Sequence, residues 1–128
     1  MAIKNDWLLD QIENLTLMIS KVFFKKSTTK YEIENVMKLS ETDLLYKELQ
    51  KLLQEGNICE AENILYKSLK TSNIKYLEVA VDFYESLNLL DDEELEKCNF
   101  SREEVNEGLV EILVKFNIDL KQFNINNE

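Results

Sequence analysis

The side chains in this sequence best suited to chemistry are carboxylates. Glu103, Glu104, Glu107 and Glu111 recur at helical i+3 and i+4 spacing, so neighbouring carboxyls share a helix face, where a pair could work as general acid and base or hold a hard divalent ion. Asp91, Asp92, Glu93 and Glu94 form a second acidic group, which lacks the glycine and alternating ligands of an EF-hand loop. Neither group sits among apolar neighbours that would bury it. A solvated helix face therefore explains both, and a carboxylate enzyme or metal site drawn from residues 91–111 stands as the alternative. Other chemistries fall away by residue type. Histidine is absent and Arg102 is the only arginine, which removes His-dependent triads, His-bearing metal sites and bidentate guanidinium clamps. Cys59 and Cys98 lie 39 positions apart with no CxxC pairing, and packing is the expected role of both, even with Lys97 beside Cys98. Two isolated glycines cannot form a phosphate-cradling loop. The reading is a non-catalytic chain with no cofactor and no metal ligands.

The elements that would position these residues are helical. Hydrophobic residues make up 45% of the chain and charged residues 31%, which is globular composition. With no proline and two glycines, the turn residues that an all-β fold needs at short intervals are missing. The 128 residues suit one domain. The net charge is −10, and residues 1–30 carry five lysines against three acids, whereas the rest carries ten bases against twenty-two acids. A field of that sign repels phosphate backbones, so no nucleic-acid partner is expected. No apolar run is long enough to span a membrane. Few cysteines, and acids where a signal peptide would be apolar, point to the cytoplasm and free thiols.

Residues 1–30 read as an apolar helix, capped by Asn5 or Asp6 and running to about Phe24, followed by a polar loop with Lys25, Lys26 and Lys30. The loop lysines could meet an anionic partner, but with no aromatic interleaved they read as a solvated connection. At 100° per residue, Leu8, Ile12, Leu15, Ile19, Val22 and Phe23 fill an arc of about 100°, and Trp7, Leu9 and Met18 widen it to roughly 200°. Such a helix is either central, packed on several neighbours, or shared with a second copy. The surplus marks Trp7, Leu9 and Met18 as the candidate interface of a homodimer. Residues 31–39 read as a short helix with Ile33, Val36 and Met37 inward.

Ser40 caps the next element, with acids in its first turn. Residues 40–70 then form a helical hairpin. Leu45, Leu49 and Leu52 make one stripe, flanked by Leu44 and Leu53, while Ile58, Ala61, Leu65 and Ser68 make the other. Gly56 sits where the first arm needs a left-handed residue to stop. The Gly56-Asn57 turn, followed by Glu60-Ala61 and then Leu65, Tyr66 and Leu69, resembles the second half of a tetratricopeptide helix pair, present as a single copy. Residues 74–123 read as acidic C-terminal helices. The first, 74–87, carries Leu77, Ala80, Val81, Tyr84 and Leu87 inward with an acidic outer face. A short acidic helix follows in which Leu95 points to the core. Ser101 and Glu104 form a capping box, with Phe100 and Val105 placed to staple the entry. That last helix holds Val105, Leu109, Ile112, Leu113 and Phe116, and an interior Gly108 of the kind that permits close helix contact. Ile118, Leu120 and Phe123 anchor a tail that frays at residues 124–127.

Three segments taken together resemble a family of small, acidic, all-helical bacterial proteins known only as a domain of unknown function. They are Asn5-Asp6-Trp7-Leu8-Leu9-Asp10-Gln11-Ile12-Glu13, the hairpin's Glu55-Gly56-Asn57 with Glu60-Ala61-Glu62, and the succession of Phe83-Tyr84-Glu85, Glu93-Glu94-Leu95, Asn99-Phe100-Ser101-Arg102-Glu103-Glu104-Val105 and Gly108-Leu109. The likeness spans nearly the whole chain, and its last segment is the most specific. It implies a helical fold and a bacterial cytoplasmic origin, and brings no activity, ligand or site residues. The expected protein is thus an all-α bundle of about five main helices over residues 1–128, acting through contacts with other proteins.

Overall fold

The computed structural model describes residues 3–123, with side chains from residue 7 to residue 121, and every regular element in that span is a helix. Reciprocal capping starts three of them. Ser40 Oγ accepts from the Asp43 amide at 3.1 Å while Asp43 Oδ2 accepts from the Ser40 amide at 2.9 Å, opening α2 (Glu41–Gln54). Asp91 with Glu94 opens α5 (Asp92–Lys97), and Ser101 with Glu104 opens α6 (Arg102–Lys115). Each box satisfies two orphan amides of a first turn. The other helices are α1 (Ile3–Phe24), α3 (Ile58–Ser68), α4 (Lys75–Asn88) and a 3₁₀ turn at Leu120–Phe123. Asn5 and Asp6 fall inside α1 rather than at its cap, because the backbone is already helical from Ile3. The expected fraying at residues 124–127 lies outside the described residues.

Three helix ends share one device. Gly56 has φ +77°, its amide donates to Leu53 O at 3.0 Å and the Asn57 amide to Leu52 O at 2.9 Å, the paired bonds of a Schellman stop. Asn99 and Asn117, both at φ 59°, close α5 and α6 with the same pair of bonds. In each, the residue after the asparagine, Phe100 or Ile118, is buried, as is its partner three residues from the helix end, Leu95 or Leu113. That apolar contact accompanies the motif.

The central helix is α4, not α1. Eleven of its fourteen residues are buried, and it packs against α1, α2 and α6. Its run Val79-Ala80-Val81 with Phe83-Tyr84 is apolar all round, so a single covered face could not hold it. The face expected to be solvated is covered too: Asp82 and Glu85 are only 6% and 8% exposed. α1 lies antiparallel to α4, with Leu9 O accepting from Asn88 Nδ2 at 3.0 Å near one end and Lys26 Nζ 2.7 Å from Glu78 Oε2 at the other. Leu8, Ile12, Leu15 and Ile19 are buried as the stripe requires, but Val22 and Phe23 are exposed.

α2 and α3 pack on each other as the hairpin. Leu45, Leu49 and Leu52 face Ile58, Ala61 and Leu65 from the buried side, while Leu44 is exposed. Residues 31–39 do not form the expected helix. Asn35 Oδ1 accepts from the Met37 amide at 2.9 Å and Asn35 O from the Lys38 amide at 3.1 Å, a local turn that competes with helical bonding. Val36 and Met37 are consequently 76% and 90% exposed. Tyr31 anchors the segment instead, its amide donating to Asp82 Oδ2 at 2.8 Å and its hydroxyl to Asp43 Oδ1 at 2.6 Å.

Candidate interaction site between α1 and α6

Trp7 and Gln11, one turn apart on α1, face Asn106, Glu107, Val110 and Glu111 on α6 across a groove of about 380 Å³. Trp7 is 53% exposed at its lip, and Glu107 and Glu111 are exposed along the rim. Asn106 is half-buried, and its Oδ1 is fully enclosed with no hydrogen-bond donor. An enclosed acceptor without a donor costs free energy. The groove therefore combines an aromatic lip, an apolar floor at Val110, an acidic rim and one unsatisfied acceptor.

A part-buried polar network backs the rim. Tyr66 donates from its hydroxyl to Glu111 Oε1 at 3.3 Å, and Tyr84, lying 3.5 Å from the Tyr66 oxygen, donates to Glu62 Oε2 at 2.7 Å. Burial pushes the Tyr66 hydroxyl up to about 12 and raises that of Tyr84 still further, so both stay protonated donors. Burial also raises the Glu62 carboxyl, against the Tyr84 hydrogen bond and with the help of Glu104 and Glu111. Gly108 makes this possible: a Cβ there would lie 2.5 Å from Glu62 Oε2 and 2.6 Å from the Tyr84 ring and hydroxyl. It is the close helix contact expected of that glycine.

The sequence-predicted acids separate into different tasks. Asp91, Glu94 and Glu104 are spent in capping boxes. Asp92 Oδ1 sits 2.8 Å from Arg102 Nη2, and Arg102, itself buried, donates from Nη1 to Asn88 O at 2.7 Å. Glu107 and Glu111 reach the groove and Glu103 faces solvent. Among the described residues no group of three or more His, Cys, Asp or Glu is disposed to hold a metal ion. Cys59 is exposed and Cys98 half-buried, both as free thiols. Lys26 is engaged with Glu78 and the Lys30 carbonyl rather than presented as part of a basic patch.

Of the three candidate interface residues, Trp7 lines the groove, and Met18 lies about 20° from it around the helix and about 16 Å along the axis. Leu9 is about 200° away on the opposite flank, where its carbonyl holds Asn88. Leu9 and Met18 are each half-buried. Asp82 and Glu85 were missed as special positions. The signal was present in the apolar residues on both sides of them, which leave no solvated side to α4.

These features define an all-α helical bundle with an apolar, acid-rimmed groove, and no helix among the described residues is long and apolar enough to cross a membrane. The chain belongs to DUF6483, a family of unknown function, which matches residues 2–117. Comparison with curated proteins and with solved structures gave no match.

Proposed function

We propose that the protein is a non-catalytic binding protein, and that the α1–α6 groove receives a basic amphipathic helix from another protein. The observation that carries this is Trp7, 53% exposed beside Val110 with Glu107 and Glu111 along the rim. Tryptophan is enriched among interface hot spots, and an apolar groove is where an amphipathic helix lays its apolar face. The rim carboxylates and the net charge of −10 select lysine- or arginine-flanked partners and speed their encounter. The tetratricopeptide-like character of the α2–α3 hairpin accords with a scaffold that works by contact.

A second copy is the other occupant to weigh, since Trp7 and Met18 share one flank of α1. Across a two-fold axis through the groove it would set Glu107 and Glu111 against their own counterparts, which costs electrostatic energy. A homodimer would therefore have to meet along Trp7 and Met18 alone.

Trp7 is the only tryptophan, so its emission reports the groove directly. A synthetic helix with leucines on one face and lysines flanking them should shift that emission to the blue on titration, and Glu107→Lys with Glu111→Lys should abolish the shift. Sedimentation decides the occupant. A wild-type dimer at micromolar concentration that becomes monomeric in Trp7→Glu with Met18→Glu assigns the flank to a second copy. A monomer whose Trp7 emission ignores the peptide ends the proposal.

A further inference from the structure

A second cavity, about 290 Å³ in volume, lies between α4, α2 and the segment after α1. Two carboxylates of α4 line it, Asp82 and Glu85, one turn apart and each more than nine-tenths buried. Asp82 is occupied at both oxygens, Oδ2 by the Tyr31 amide at 2.8 Å and Oδ1 by Ser86 Oγ at 3.3 Å. Glu85 is not. Its Oε1 accepts from Thr16 Oγ1 at 3.2 Å and Asn88 Nδ2 at 3.4 Å, while Oε2 accepts no hydrogen bond among the described residues.

Neither carboxylate takes part in an ion pair among the described residues. Lys26 is committed to Glu78. Lys30, at the cavity wall, is exposed and acts on Asp82 only through space. Two buried carboxylates without a paired cation are costly, and a group that brings positive charge and N–H donors together relieves that cost. Burial raises both carboxyls above their ordinary range, in keeping with a missing counter-charge.

We propose that this cavity binds a small molecule bearing a primary ammonium group, seated against Glu85 Oε2 and beside Asp82. Tyr46 lines the α2 wall, an aromatic neighbour of the kind that attracts cations. Gln50, one turn along, offers an amide. A metal ion is the poorer occupant, because two carboxylates with three of their four oxygens already bonded leave too few ligands for a hard cation. The ammonium can belong to a diamine or to an α-amino acid. Lys30 and Thr29 on the opposite wall would receive the carboxylate of an amino acid and would repel the second charge of a diamine.

The inference is independent of the α1–α6 groove. Calorimetry of the whole chain with 1,4-diaminobutane and, separately, L-valine tests it, with calcium chloride as a third arm. One of the two amines should bind. Glu85→Gln keeps an acceptor for Thr16 but turns the open acceptor into a donor, and should weaken binding about tenfold or more, the size of one charge-assisted hydrogen bond. Should that variant fail to fold, Leu89→Lys, at an exposed position of the same cavity, should weaken binding as much by placing a tethered ammonium at the mouth. Binding of valine alone assigns the amino-acid class, and of the diamine alone the polyamine class. No heat with either amine at millimolar concentration, heat with calcium only, or a folded variant that binds as wild type overturns the proposal.

Discussion

Tyr84 donates its hydroxyl to Glu62 at 2.7 Å directly beneath Gly108, so three helices, α3, α4 and α6, meet at one hydrogen bond that tolerates no side chain above it. Gly108→Ala should therefore destabilise the protein. An exposed helix would gain about 1 kcal/mol from that change. Here the new methyl would lie 2.6 Å from a buried tyrosine, and overpacking of that kind costs about 1–3 kcal/mol. Urea denaturation of the variant should show a lower midpoint, and a rise would mean that Tyr84 can move aside.

Glu62 gives this network a pH dependence. Its carboxyl is raised in the folded chain above the ordinary 4.5, with burial as the largest cause. A raised carboxyl contributes stability that is fully present below the unfolded value and is lost as pH rises through the folded one. Asp82 and Glu85 act in the same sense. Glu62→Gln keeps an acceptor for Tyr84 and removes the titration. Its stability should fall less than the wild type's as pH rises above the ordinary 4.5, and parallel profiles in chemical denaturation would remove Glu62 from the account.

The left-handed helix stops predict opposite effects for two substitutions. Gly56→Ala places a Cβ at φ +77°, where the nearest other atom, Cys98 Sγ, is an ordinary 3.7 Å away. The cost is then the backbone alone, about 1–2 kcal/mol. Asn99→Gly relieves a residue already at φ 59° and should be neutral or stabilising by a few tenths of a kcal/mol. Thermal melts of both variants check the pair.

Much of this was legible in the chain because it depends on neighbours in sequence. The Ser101 and Glu104 box, the Gly56 stop and the Leu45-Leu49-Leu52 stripe are local patterns, and each folds as its chemistry requires. What escaped depends on residues far apart. Residues 31–39 have apolar spacing suited to a short helix, yet Asn35 turns the backbone and Tyr31 is held by Asp82 and Asp43, partners 51 and 12 positions away. Asp82 and Glu85 looked like a solvated face because acids on a helix usually are. The flanking apolar residues hint that α4 has no solvated side, but what covers Asp82 and Glu85 was decided by where α1 and residues 25–31 return, which no window of sequence contains. Trp7 was identifiable as surplus apolar surface, whereas its groove required the placement of α6.

The hairpin carries large single-residue costs. Leu49 and Leu65 are essentially fully buried on facing stripes of α2 and α3. Truncating either to alanine removes its apolar burial and leaves a cavity, at about 2–5 kcal/mol. A loss under about 0.5 kcal/mol at both sites, within the range of surface substitutions, would show that the hairpin does not build the core.

Tyr31→Phe separates the anchoring of the first long connection from the capping of α2. The Tyr31 hydroxyl donates to Asp43 Oδ1 at 2.6 Å and lies 2.7 Å from Thr42 Oγ1, while Asp43 Oδ2 independently accepts the Ser40 amide. Removing the hydroxyl leaves the cap in place and Thr42 Oγ1 still 3.1 Å from Ser40 Oγ. The loss of stability should be about 1–3 kcal/mol, the cost of an unmet buried partner. Asp43 supplies a second readout. The Tyr31 hydrogen bond is the largest cause holding its carboxyl below the ordinary 3.8, so the variant's Asp43 should titrate at higher pH by NMR. Asp43 stabilises the fold above its unfolded value and loses that contribution as pH falls through the folded one. Tyr31→Phe should therefore be less sensitive to acid than wild type in that window, although weaker at neutral pH. An unmoved Asp43 titration would show that the Ser40 amide alone holds the carboxylate, and that Tyr31 anchors the segment through Asp82 instead.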